Sequence, residues 1–203
     1  PAVEAALCEP LSCSAYAVNQ TGMGMEDTVV VSGLGAIGMG MLQFALLRNP
    51  KRVIGIDTND ALCEIAKKLG AAEVLNPMKE DVTKRIMELT DGVGCDIYME
   101  ATGNPASVET GMNCLRKQGM LFIYSVFKKK AEIDLNQISE FKELRVIGGH
   151  LSPGAFPYTI DCLEKGKINA KVMVTDIFAL NEIDEAMSAK KPDRVSIKTV
   201  LVP

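Results

Sequence analysis

The sequence contains no tryptophan, a single histidine and only 5% aromatic residues among its 203. With one imidazole, His150, it cannot build a multi-histidine metal centre. Six cysteines stand at 8, 13, 63, 95, 114 and 162, and no two have the C-x-x-C spacing of a zinc ribbon or redox motif. Scattered in this way, they read as small buried hydrophobes in a reducing compartment. Basic residues are not in excess, since 22 Lys and Arg face 26 Asp and Glu for a net charge of −4. That balance argues against a broad nucleic-acid surface, which needs clustered cations to neutralise phosphates. No apolar run reaches the roughly 18 residues of a membrane span. The first residues lack a basic stretch followed by an apolar one, so no signal peptide is expected and the expected setting is the cytoplasm.

What is present is ordinary globular composition, with 47% hydrophobic and 24% charged residues. Short apolar runs alternate with helical segments along most of the chain. Strands are predicted at 28–32 (TVVVS), 52–57, 73–75, 95–99, 120–124 and 145–147. Helices are predicted at 37–47, 61–69 (stopping at Gly70), 81–89, 105–115 and 135–141. A buried β-branched run followed by a helix, repeated, requires a parallel sheet with right-handed crossovers. Six such strands make a doubly wound α/β domain of the Rossmann type. The Lys128-Lys129-Lys130 run reads as a solvated turn. Outside this unit lie a head, 1–18, read as helix interrupted by Pro10, and a tail. In the tail, 157–165 is read as helix, 171–178 as extended, 181–188 as a capped helix and 196–202 as a strand.

The chemistry-bearing motif is Gly33-Leu34-Gly35-Ala36-Ile37-Gly38, a G-x-G-x-x-G run after a buried strand and at the opening of a helix. Gly33 permits the tight turn, and Gly35 lets a pyrophosphate approach the backbone. Gly38 lets helix and strand pack closely. The amides of Ala36 and Ile37 lie at the positive end of the helix, where phosphates bind. Asp57 ends the second strand at the spacing of an acid that accepts the adenosine ribose hydroxyls. A 2′-phosphate about 5 Å from that carboxylate would cost roughly 3 kcal/mol per unit charge at an effective dielectric of 20. This is on the order of a hundredfold in affinity, and Thr58, Asn59 and Asp60 supply no Arg to offset it. NAD rather than NADP is therefore expected. Ala101-Thr102-Gly103 and Ser125-Val126 end two further strands. Their small residues suit either a ligand cleft or an ordinary turn.

The segments VVVSGLGAIGMGMLQFA, VIGID, EVLNP, GCDIYMEATG and RKQGMLFIYSV resemble the medium-chain dehydrogenase/reductase family. The nearest branch resembled is that of the zinc-dependent polyol (sorbitol-type) and threonine dehydrogenases. The opening CEPLSCSAYAV and the tail segments VTDIFAL, NEIDEAM and SIKTVLV are similar to the family's passages between its two domains. The resemblance implies a division into 1–18 (end of a catalytic domain and linking helix), 19–150 (NAD-binding domain) and 151–203 (return to the catalytic domain). It implies that a GroES-like catalytic half, with most zinc ligands, is not part of this chain. It places Glu9 near zinc in an intact enzyme, whereas the residues alone read it as a helix-start acid. Cys13 falls beside the nicotinamide site or is simply a small buried residue. Val126 resembles the position that packs on the nicotinamide ring, and 149–151 the stretch whose backbone binds the carboxamide, with His150 structural. Lys198 matches a cation reaching the pyrophosphate, or is a surface lysine at a strand end.

The resemblance therefore implies the coenzyme-binding part of an NAD-dependent, zinc-containing dehydrogenase. Its substrate would be a secondary alcohol such as a polyol, a sugar alcohol or a threonine-like molecule. The zinc would belong to the intact enzyme and would not be expected on this chain, which alone should be inactive. It also implies a homodimer through the sixth strand, with neither nucleic acid nor membrane as partner. Two rivals stand beside this reading. A zinc-free quinone-oxidoreductase-like enzyme would prefer NADPH, against Asp57. A non-enzymatic NAD-sensing module would end near the sixth strand, against the tail. The tail strands are expected to lack a sheet to join, since their partners belong to the other half.

Overall fold

A computed structural model describes residues 2–188 and 195–203. Pro1 and residues 189–194, which fall inside the head and tail segments, lie outside the described residues. The sheet forms as its sequence pattern requires. β1 (Thr28–Ser32) is buried along its whole length and takes a central place. Around it stand β2 (Arg52–Ile56), β3 (Glu73–Leu75), β4 (Cys95–Glu100), β5 (Leu115–Ile123) and β6 (Arg145–Gly148). Their order is β3-β2-β1-β4-β5-β6 and every pairing is parallel. The chain reverses direction of growth between β3 and β4, which opens a crevice at the carboxyl edge beside β1.

One face of the sheet carries α2 (Cys8–Thr21), α3 (Ala36–Leu47), α4 (Asp60–Lys68) and α7 (Phe156–Glu164). The other carries α5 (Val82–Leu89) and α6 (Pro105–Cys114). Local chemistry sets the helix starts. The side chains of Asn59, Asp81 and Asn104 accept backbone N–H groups of Ala61, Lys84 and Ala106, capping α4, α5 and α6. Lys142 closes the far end of α6 by donating to the carbonyls of Met112, Asn113 and Leu115 at 2.6–2.9 Å. Burial lowers the affinity of this ammonium for its proton.

Head and tail are packed onto this body. α2 crosses α3 where the latter has Gly40, because a Cβ there would lie 2.4 Å from Ser14 Oγ. Ser14 donates to Ile37 O at 2.8 Å, joining the two helices. The buried Gln43 of α3 accepts Asn169 N at 2.7 Å, which ties the tail to the same layer.

Several expectations are corrected. The head helix breaks between α1 (Ala2–Ala5) and α2, ahead of Pro10, which sits in the first turn of α2. A proline ring clashes with the carbonyl four residues earlier, so the break falls upstream of it. β5 begins at Leu115, well before Met120. Leu115 pairs with Cys95 before a register shift, and Arg116 pairs with Asp96 at 2.5 Å. Residues Gln137–Phe141 form one wide helical turn of the π type, and Lys171–Met173 a 3-10 turn before β7 (Val174–Ala179). Leu180–Glu182 is a 3-10 turn leading into α8 (Ile183–Ser188), and β8 is Lys198–Val202. The tail strands do find a sheet: β7 and β8 pair in parallel with each other across α8. Among the described residues no helix is long and apolar enough to cross a membrane.

Candidate functional site

A cleft of about 680 Å³ opens at the carboxyl edge of the sheet. Gly33, Gly35, Asp57, Thr58, Ala101 and Thr102 line it together with the neighbouring Ser32, Ile56 and Asn59. The backbone ladder runs into it, as Gly33 N donates to Ile56 O at 2.8 Å and Ala101 N to Ser32 O at 2.8 Å. The glycine turn is sterically tight on two sides and open on the third. Gly33 has φ +93°, and a Cβ on it would meet the Ala101 backbone at 2.8 Å. A Cβ on Gly38 would stand 1.6 Å from Gly33 O, a position no side chain can occupy. At Gly35 a Cβ would meet nothing within 4 Å, so the free space lies directly in front of it. The first helical hydrogen bond of α3 is Met39 N to Gly35 O. The amides of Ala36, Ile37 and Gly38 therefore have no acceptor within the helix and stand at its positive end.

Asp57 follows β2, and its carboxylate is held from two sides. Oδ2 accepts Leu34 N at 2.7 Å and Oδ1 accepts Asn59 N at 2.9 Å. Each oxygen keeps a further lone pair for a ligand hydroxyl. The same bond to Leu34 fastens the glycine loop to the end of β2, so one residue shapes the turn and presents the acceptors. Beyond it, the cleft wall is built from Pro77 and Met78 after β3, Tyr98 of β4, and Ser107 and Thr110 of α6. Ser107 Oγ lies 2.8 Å from Ser32 Oγ and 3.3 Å from the Tyr98 hydroxyl. Burial pushes the Tyr98 phenol up, so it holds its proton.

Sequence reasoning missed this wall, whose residues are distant in sequence and individually ordinary. It also missed Glu100, which is completely buried at the end of β4. Its Oε1 accepts Thr102 N at 2.8 Å, Thr102 Oγ1 at 2.5 Å and Gly103 N at 3.1 Å. Glu100 thus sets the Ala101-Thr102-Gly103 turn, while its Oε2 finds no hydrogen-bond partner among the described residues. A charged residue closing the apolar run CDIYM was the available signal.

The remaining candidates are more dispersed. Gly103 touches the next strand end, since a Cβ there would meet Val126 O at 2.6 Å. Val126 itself is 90% exposed and lies beside the cleft without lining it. Lys198 does not line it either, but Ser196 does. Gly149 N donates to Ile123 O, and Tyr124 donates its phenol proton to Leu151 O at 2.5 Å. Burial, with Cys13 and Glu9 nearby, pushes the Tyr124 phenol up. His150 is exposed.

Glu9 is exposed on the first turn of α2 and accepts the buried Cys13 thiol at 3.6 Å. Among the described residues no three His, Cys, Asp or Glu gather into a group that could hold a metal ion. One carboxylate and one thiol fall short of a tetrahedral zinc site, so the residues present do not fit a resident zinc on this chain.

A doubly wound sheet with a glycine turn at its switch point defines a nucleotide-binding α/β domain. The comparison with known families is more specific. Residues 36–165 match the model of the zinc-binding dehydrogenases, and the chain belongs to that family. It is 39% identical over its whole length to the erythritol/L-threitol dehydrogenase of Mycolicibacterium smegmatis, covering 56% of that protein. It is 32% identical to the L-threonine 3-dehydrogenase of Pyrococcus abyssi, with 96% of the chain aligned to 58% of that enzyme. The chain thus spans somewhat over half the length of the curated relatives it matches. Among solved structures, one described as a zinc-binding dehydrogenase of Sinorhizobium meliloti 1021 bound to NADP superposes with a TM-score of 0.92. Its identity is 26%, over 98% of this chain and 59% of that one. The 2R,3R-butanediol dehydrogenase of Bacillus subtilis superposes with a TM-score of 0.89 at 28% identity, over 98% of this chain and 57% of that one.

Proposed function

We propose that this chain is the coenzyme-binding part of an NAD-dependent dehydrogenase that oxidises a secondary alcohol by hydride transfer. The observation that carries the reading is that open space before Gly35 and the Asp57 carboxylate, tied to the same turn through Leu34, line one cleft. The amides of Ala36, Ile37 and Gly38 would receive the pyrophosphate, and Asp57 with Thr58 the adenosine ribose. Ala101, Thr102, Gly103 and Val126 would flank the nicotinamide half, and Lys198 would approach the pyrophosphate from the tail. In that arrangement the protein's task is to hold the nicotinamide ring in place, and the hydride chemistry is the coenzyme's own.

The relatives named for erythritol and threitol, for threonine and for butanediol all act on small molecules with a secondary alcohol beside another polar group. A substrate of that class is proposed here. Segments 1–18 and 151–203 would flank the coenzyme domain, 19–150, as links to a catalytic domain. The zinc of the family name would belong to the intact enzyme, with Glu9 the nearest carboxylate this chain could offer. Six free cysteines suit a reducing, cytoplasmic setting. β6 stands at the sheet edge with Arg145 and Val146 exposed, an unpaired row of amides and carbonyls suited to a second copy of the chain. Neither a nucleic acid nor a membrane is proposed as a partner.

The experiment is a calorimetric titration of the purified chain with NADH and with NADPH. NADH binding is expected to exceed NADPH binding on the order of a hundredfold. Equal affinity removes the role given to Asp57, and binding of neither removes the reading altogether. Sedimentation at a series of concentrations tests the dimer, which a monomer at every concentration overturns.

A further inference from the structure

Next to the cleft residues Asp57, Thr58 and Asn59 stands a second carboxylate, Asp60. Asp60 is the first residue of α4. Its Oδ2 accepts Lys79 Nζ at 2.5 Å, and its Oδ1 accepts Asn76 Nδ2 at 2.8 Å. The buried Asn76 also donates to Thr58 O at 3.0 Å. Its Oδ1 accepts Met78 N at 2.9 Å, and its carbonyl accepts Lys79 N at 2.9 Å. Asn76 therefore fastens the turn carrying Lys79 to the strand end carrying Asp57 and Thr58. Thr58 and Met78, the neighbours of these groups, both line the cleft.

We propose that Lys79 is a latent acceptor for the 2′-phosphate of NADP, kept out of use by Asp60, so that the Asp60–Lys79 pair reinforces the exclusion of NADP by Asp57. This rests on reading the cleft as a dinucleotide site. The charge arrangement carries the argument. Asp57 and Asp60 are two carboxylates at the ribose end, and Lys79 is the cation bonded there. With Asp60 in place, the Lys79 ammonium is held in an ion pair at 2.5 Å. Without Asp60, a flexible ammonium fixed at its backbone beside Met78 is free to meet a phosphate. The pair does little else, because both side chains are about 60% exposed and ion pairs in such positions contribute little to stability. Asp60→Asn keeps an oxygen for Asn76 and leaves the Asn59 cap intact, so the fold should tolerate it.

The experiment measures the ratio of NADPH to NADH affinity by calorimetry in the 203-residue chain, in the Asp57→Ser background where the main repulsion is gone. Adding Asp60→Asn is expected to raise the ratio about tenfold, the effect of freeing one charge-assisted contact. Adding Lys79→Met on top should return the ratio to that of Asp57→Ser alone. Asp60→Ser serves as a second removal of the carboxylate, and thermal melts check that each variant is folded. A ratio unmoved by both Asp60 substitutions overturns the proposal. So does a rise that survives Lys79→Met, since Lys79 is then not the group that responds. Failure of the unsubstituted chain to bind NADH would instead overturn the dinucleotide reading itself, and this proposal with it.

Discussion

The two ends of the cleft are built in different ways. At the ribose end, Asp57, Asn59, Asp60 and Asn76 are held by hydrogen bonds of 2.7–3.0 Å, to one another, to Thr58 and Ala61, and to Leu34 of the glycine turn. Past the other end, outside the cleft lining, groups that follow β4, β5 and β6 lie near the start of the head helix with little closure. Glu9 and His150 are exposed there, Leu151 is 58% exposed and Val126 is 90% exposed. One end is a finished surface made from neighbouring sequence. The other is an open surface, on which the Tyr124 phenol ties neighbouring segments together by donating to Leu151 O.

The sharpest way to break this comparison lies in the glycine turn of the finished end. Gly38→Ala forces a methyl against Gly33 O, so the backbone must move, and overpacking of this severity costs about 3 kcal/mol or more. Gly35→Ala adds its methyl to open space at an ordinary φ of −66°. Its stability should therefore stay within about 0.5 kcal/mol. It should still lose at least tenfold in NADH affinity, because the methyl fills the room meant for the pyrophosphate. Thermal melts and NADH titration on both variants check this. If Gly35→Ala binds NADH normally, the open space is not the phosphate site.

Glu100 stands between the two ends and holds the Ala101-Thr102-Gly103 turn. Glu100→Ala leaves the Thr102 and Gly103 amides without their acceptor and should cost about 1–3 kcal/mol in chemical denaturation. Glu100→Gln, which keeps an oxygen in place, should recover most of that loss. Equal losses in both variants would mean that the negative charge, not the acceptor, shapes the turn.

The contrast between the ends also explains what the sequence could and could not reveal. The glycine turn, Asp57 and the alternation of strands with helices were legible because each is a short-range pattern, a buried strand followed by small residues and a cap. The β5 start at Leu115 was not, because it depends on a bulge opposite Cys95 and on Arg116 reaching Asp96. Tyr98, Ser107 and Thr110 were not, because only the fold brings them to one wall. At the open end, Ser125-Val126 read equally well as a ligand cleft or an ordinary turn, and the nicotinamide roles of Val126 and 149–151 were reached only through a family resemblance. The pairing of β7 with β8 escaped because the tail was read as part of an absent sheet, whereas the two strands pair with each other in parallel along one edge each.

A third test acts on the open end through Tyr124, whose phenol donates to Leu151 O. Tyr124→Phe should lose about 1 kcal/mol near neutral pH, the net value of one hydrogen bond. The folded phenol holds its proton to higher pH than an unfolded tyrosine, whose ordinary value is 10.0. Its contribution is therefore complete below pH 10 and declines as the pH rises above that value. The substitution should flatten the alkaline fall in stability, measured by denaturation between pH 8 and 11. An unchanged alkaline slope would show that the phenol is not differentially protonated by the fold.

The smallest expected effect is at Val126, and it separates the two ends most directly. A side chain 90% exposed has almost no packing to lose, so Val126→Ser should change stability by less than about 0.5 kcal/mol. ADP-ribose, which lacks the nicotinamide, should bind the variant and the unsubstituted chain alike, since the ribose end is complete without Val126. NADH should bind a few-fold more weakly, with its nicotinamide fluorescence shifted towards that of the free coenzyme, because an apolar contact of this size is worth about 1 kcal/mol. Parallel titrations with the two ligands provide the check. If ADP-ribose loses as much affinity as NADH, the two ends are coupled and the division drawn between them is false. If neither changes, the nicotinamide does not reach Val126 in this chain.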